Sequence, residues 1–199
     1  MSQEVNAEVP APFRAALDSL RDHRVRPEVH LTEVPAPARI APYSVALSGE
    51  LPAGPGDALD ELDGHPELAT GRFVALYDPA GQEAWDGTFR IVTLVRAHLE
   101  AELGNDPLLA EVAWTWLLDS LAAEGAAARA LSGTVTRVLS ESFGSLETRP
   151  DDVEVEIRAS WTPAGSDLGP HIRAWGGLLC TSAGMPPLPE GVTSLGLRH

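Results

Sequence analysis

Two stretches of the chain, Phe73–Tyr77 and Thr88–Arg96, carry apolar residues on both parities. Phe73, Ala75 and Tyr77 interleave with Val74 and Leu76, and Phe89, Ile91 and Val95 interleave with Val92 and Leu94. A strand covered on one face alternates, whereas a strand covered on both faces reads as a near-continuous apolar run. The pattern therefore predicts two central strands packed from both sides, joined by the polar turn Asp78–Gln82.

Other periodicities surround this pair. From Pro12 to about Arg24, Phe13, Ala16, Leu17 and Leu20 form a helical stripe, with proline in the first turn and arginines at the end. Short strands are expected at Val29–Val34 and Tyr43–Ser48. The prolines between them, from Pro35 to Pro42, remove ladder donors and argue that one of the two is an edge. A second helix starts at Asn105 or Asp106, takes Pro107 in its first turn and stops at Gly125. Its wide apolar face comprises Leu108, Leu109, Val112, Trp116, Leu117 and Leu121, flanked by Trp114 and Leu118.

Two strands follow, Gly133–Phe143 and Val153–Thr162. The second alternates, with Val153, Val155, Ile157, Ala159 and Trp161 inward and Glu154, Glu156, Arg158 and Ser160 outward. A last helix begins at Asp167, carries Leu168, Ile172, Trp175 and Leu179, and ends at Gly184 and Pro186. Strands in groups, not alternating with helices, predict an α+β fold: an antiparallel sheet of five to six strands with three helices. The expected organisation is a flexible N-terminal tail (1–11), one domain (12–185) with a mobile acidic loop (50–69), and a proline-rich C-terminal tail (186–199).

Composition narrows the function classes. A net charge of −15 over 199 residues opposes binding to a phosphate backbone, and the scattered arginines form no basic run, so no nucleic-acid partner is expected. All fourteen basic residues are arginine. The missing lysine excludes Schiff-base chemistry, a P-loop lysine and a lysine general base. Cys180, the single cysteine, supplies neither an internal disulfide nor a thiolate cluster. The start of the chain has no basic, apolar leader and no stretch is long enough to span a membrane, which leads us to expect a cytoplasmic protein with no membrane partner.

Candidate chemistry is thin. His98, Glu100 and Glu102 follow a central strand, where an acid/base pair is conceivable but a solvated strand end is the simpler account. His171 lies near Asp167 in the first turn of the last helix, where a carboxylate orients an imidazole. Ser132, Thr134, Thr136, Ser140 and Ser142 place hydroxyls on one parity of a strand without a nucleophile elbow. If Val135 and Leu139 point inward, period two sends Arg137 inward too, and a buried guanidinium needs a carboxylate or an anionic ligand. Asp57, Asp60 and Asp63 are spaced by three, unlike the two-residue spacing of a calcium loop. Cys180 belongs with the apolar stripe of the last helix and is expected in the core. No catalytic, cofactor or metal signature is present.

Several blocks together resemble an uncharacterised actinobacterial family, domain of unknown function three thousand. They are FRAALDSLR (13–21), RPEVHLTEVPAPARIAPYSVALS (26–48), ELATGRFVALYDPAGQEAWDGTFR (67–90), DPLLAEVAWTWL (106–117), SGTVTRVLSESFG (132–144), EVEIRASWTP (154–163) and AWGGLLCTSAGMPPLP (174–189). The resemblance implies a cytoplasmic protein from a high-GC Gram-positive bacterium and brings no catalytic residue with it. The element order is also similar to the secretion-chaperone-like α+β fold, whose small acidic members bind polypeptides.

The leading expectation is a non-enzymatic protein-binding or adaptor module with an unidentified protein partner. A homodimer would supply the missing cover for the doubly apolar strands. The candidate contact residues are Trp114 and Leu118 on the second helix, with Arg137 and Arg158 as polar contacts. The alternative is a small-molecule-binding protein or enzyme that holds an anionic ligand through Arg137, Arg158 and His98.

Overall fold

The computed structural model describes residues 9–37, 39–53, 67–104, 106–147 and 152–186. Six strands and four helices follow in chain order: α1 (Ala11–Asp22), β1 (His30–Val34), β2 (Tyr43–Pro52), β3 (Glu67–Gln82), β4 (Gly87–Leu99), α2 (Ala101–Gly104), α3 (Leu109–Ala123), β5 (Ala128–Ser140), β6 (Asp152–Pro163) and α4 (Gly169–Ser182). The strands form one antiparallel sheet in the order β1-β2-β3-β4-β6-β5. The α+β class and the antiparallel sheet agree with the sequence pattern; α2, a single turn, is a helix the pattern did not announce. The acidic loop with Asp57, Asp60 and Asp63 lies outside the described residues.

Period two sorts the sheet into two faces. One face carries Phe73, Ala75 and Tyr77 of β3, Ile91, Val95 and Ala97 of β4, and Val153, Val155, Ile157 and Trp161 of β6; all are buried under α1, α3 and α4. Helix α4 is the centre of this layer. Its Trp175 ring lies over Gly49 and Gly71, which pair across β2 and β3, and its indole N–H donates to the Leu94 carbonyl at 3.3 Å. Asp167 heads α4 by accepting from the Gly169 amide, and Gly184, at φ 77°, stops it. Gly125, at φ 62°, ends α3 in the same left-handed way.

The second face corrects the expectation that both faces of the central strands are packed along their length. Among the described residues only one end is covered, where Trp85 folds back onto Ala46, Val74 and Leu76, with Val34, Ala36 and Ala41 against them. The reversal from β3 to β4 also lies later than the expected Asp78–Gln82 turn. β3 runs on to Gln82 through a register shift, and a single 3₁₀ turn, Glu83–Trp85, ends at Asp86 with φ 52°. That shift carries Trp85 to the open face. Beyond it the open face forms a shallow groove.

Candidate functional site: the groove on the open sheet face

Strand pairing builds the groove in two rows. Arg72 of β3 pairs with Leu94 of β4, Leu94 with Arg158 of β6, and Arg158 with Thr134 of β5. One step along, Val74, Val92, Ser160 and Ser132 form the next row. These eight residues line a hollow of about 540 Å³, within the size range of small-molecule sites. Its floor is apolar, and Val92 is 40% exposed there. Arg72 and Arg158 stand on either side of Leu94, two strand spacings or roughly 10 Å apart at the backbone.

Arg90 lies in the next row, beneath the edge of the hollow, and is buried. Its guanidinium donates only to neutral oxygens: the Ala130 carbonyl at 3.0 Å, Thr162 Oγ1 at 3.2 Å, Ser160 Oγ at 2.7 Å, the Ser160 carbonyl at 3.3 Å and Ser132 Oγ at 3.4 Å. No carboxylate pairs with it among the described residues, and burial lowers its pKa from the usual arginine range without removing its charge. Ala130 adopts φ 47° at the register shift between Arg129 and Ser132, which accompanies the turning of its carbonyl to Arg90. Because Ser132 and Ser160 accept from Arg90, their hydroxyl hydrogens are free to donate into the hollow. The buried cation thus polarises two donors that line the site.

Among the described residues Arg158 is held from one side only. Glu156, buried between two arginines, accepts from Arg158 Nε and Arg96 Nε at 2.6 Å each. Burial pushes the Glu156 carboxyl up, but hydrogen bonds from Arg96 and Arg158 outweigh it and hold its pKa below the ordinary carboxylate value. The terminal nitrogens of Arg158 stay available to the groove. Arg72 has no ion-pair partner among the described residues.

The residues singled out from the sequence are distributed over three places. Arg158 lines the groove. His98 shares its face but lies further along, with Nδ1 at 3.1 Å from Asp152 Oδ1. Arg137 is on the helix side of the sheet, as its parity with Val135 and Leu139 requires, yet it is exposed because β5 is an edge; it donates to the Asp106 carbonyl at 2.7 Å. Trp114 is half-buried and its ring passes over Gly133, where a Cβ would collide with it, while Leu118 is exposed on the outer side of α3. His171 is buried and accepts from Trp161 Nε1 at 3.0 Å; desolvation, against a smaller upward pull from Asp167, depresses its pKa to about 4. Cys180 is fully buried, and burial pushes its thiol up to about 11.

Arg72, Arg90, Ser132, Thr134 and Ser160 form the groove with Arg158. The alternating hydroxyls of β5 were visible in the sequence. Arg72 and Arg90 were also visible as charges inside apolar strands, on the parity of Val74 and Val92. What the sequence withheld was the strand order that puts β6 between β4 and β5. Among the described residues, no group of three or more His, Cys, Asp and Glu is placed to hold a metal ion. No helix among them is long and apolar enough to cross a membrane.

The model of a family described as a protein of unknown function, DUF3000, matches residues 9–193. No curated protein and no solved structure matches the chain.

Proposed function

We propose, for a chain that belongs to the DUF3000 family, a non-enzymatic binding role in which the groove holds a small, largely apolar molecule bearing an anionic group. The observation that carries this reading is Arg90, a buried guanidinium without a carboxylate among the described residues, whose serine partners Ser132 and Ser160 line the hollow. Buried charges are normally paired, and an anion between Arg72 and Arg158 would supply the missing negative charge. The Val74–Val92–Leu94 floor would take the apolar body. This differs from the arginine pairing expected from the sequence: Arg158 remains, and Arg72 and Arg90 stand where Arg137 and His98 were expected.

Fluorescence titration with anilinonaphthalene sulfonate, an aromatic anion, tests the reading. Arg72→Ala and Arg158→Ala are each expected to weaken binding roughly tenfold or more, the range for a hydrogen bond to a charged group. Val92→Glu, which fills the floor with a like charge, should abolish it. Equal binding by the native chain and the Arg72→Ala/Arg158→Ala double variant would refute the site.

A second reading, a protein-binding or adaptor module, draws support from the outer side of α3, where Leu108, Val112 and Leu118 are exposed in sequence proximity. Its test is whether a polypeptide that co-purifies in fixed ratio with the full chain is lost from Leu118→Arg. A cytoplasmic setting suits both readings, since the one cysteine is free and buried.

A further inference from the structure

The free edge of β5 is self-complementary in one register, and we propose that it pairs antiparallel with a second copy of this chain about a two-fold axis at Leu139. This inference is independent of the groove. β5 ends the sheet, so among the described residues no strand lies beside its outer amides and carbonyls. The strand has no proline and no lysine, the usual edge guards, and its only irregularity lies near its start, between Arg129 and Ser132. Beyond Ser140, Phe143 is extended at φ −129° and ψ 159°, and Gly144 turns the chain at φ 66°.

With the axis at Leu139, each side chain on the helix side meets a fitting partner. Val135 faces Phe143 of the second copy, Arg137 faces Glu141, and Leu139 faces itself. On the other side Thr136 meets Ser142 and Val138 meets Ser140. Neighbouring registers fail this test. With the axis at Val138, Arg137 faces Leu139 and Glu141 faces Val135; with it at Ser140, Glu141 faces Leu139. Opposite charges across an antiparallel pair stabilise it, and isolated charges against apolar partners do not. Neither Arg137 nor Glu141 has an ion-pair partner within the chain among the described residues, and Arg137 bonds only a carbonyl.

Exposure points to the same corner. Phe143 is 77% exposed, more than any other large apolar side chain described. Leu139 lies beside Gly104, next to exposed Leu103, and Arg137 reaches the Asp106 carbonyl just before exposed Leu108. An axis perpendicular to the sheet keeps both helix layers on one side, so these apolar groups of the two copies approach each other above the joined strands.

Sedimentation of the full chain should give a species of twice 21.1 kDa. Arg137→Glu and Glu141→Arg should each yield monomers, because each sets like charges opposite one another, and the double reversal should restore the dimer. Leu139→Cys should form a covalent dimer on mild oxidation, since residues facing across an antiparallel pair bring their Cα atoms to about 4.5–5.5 Å, within the roughly 4.4–6.8 Å that a disulfide spans between Cα atoms. A chain that remains monomeric at its highest soluble concentration would overturn the proposal. So would a dimer that ignores both single reversals and leaves the Leu139→Cys thiols unlinked.

Discussion

His171 and Arg90 are both buried polar side chains, and each makes a different demand on the fold. His171 is kept neutral: its ring nitrogen accepts from Trp161, and its pKa lies near 4 against an unperturbed value of about 6.5. As pH falls below the unfolded value, the unfolded chain takes up the proton first. The stability contributed by the neutral ring is therefore complete above about pH 6.5 and is lost progressively towards pH 4, by an amount on the order of 3 kcal/mol. Urea unfolding midpoints should fall over that window, and His171→Gln should remove that part of the slope. Arg90 carries its charge with it instead. Arg90→Met should reduce anilinonaphthalene sulfonate affinity by roughly tenfold although the residue sits behind the serines, in keeping with the worth of a charge-assisted contact. If affinity is unchanged, the serines are not polarised as described.

At the level of elements, small residues decide where large ones fit. The Gly49–Gly71 pair opens the slot for Trp175, and a Cβ at Gly71 would meet the Leu94 carbonyl and the indole ring. Gly71→Val should cost on the order of 3 kcal/mol or more, above the usual range for overpacking because backbone is involved; thermal unfolding measures it. Ala130 tests the opposite direction. Its left-handed backbone costs about 1–2 kcal/mol for a residue with a Cβ, so Ala130→Gly should raise stability by up to about 1 kcal/mol once the entropy of glycine is subtracted. These elements also show what the sequence could convey. Periodicity, the start signal Asp167 and the stop signals Gly125 and Gly184 gave the main helices and strands, because those signals act within a few residues. The apolar parity of β3 and β4 gave their central position but not the nature of their second cover, which is Trp85 at one end and an open groove at the other. Arg72, Leu94, Arg158 and Thr134 form one row only after four strands are set in order, and no local spacing encodes that row.

Over the whole molecule, charge and site work against each other. A net charge of −15 repels itself in the compact state and repels an incoming anion. Raising salt from about 0.01 to about 0.15 M shortens the screening length from roughly 30 to 8 Å, so the melting temperature should increase over that range. A flat or falling melting temperature would mean that local pairs such as Arg96–Glu156–Arg158 outweigh the global repulsion. The same arginine group gives the groove a local field opposite in sign to the rest of the surface.

The burial of Cys180 gives the protein an internal clock. It is the chain's single thiol and lies buried in the core on α4, where the thiolate that reacts with an alkylating reagent scarcely forms. Alkylation must then wait for the core to open. At low reagent concentration its rate reads the fraction of time the molecule spends open, and at high concentration it reads the rate of opening itself. Mass spectrometry of a single added label would follow the breathing of this domain under native conditions, without denaturant and without any engineered probe.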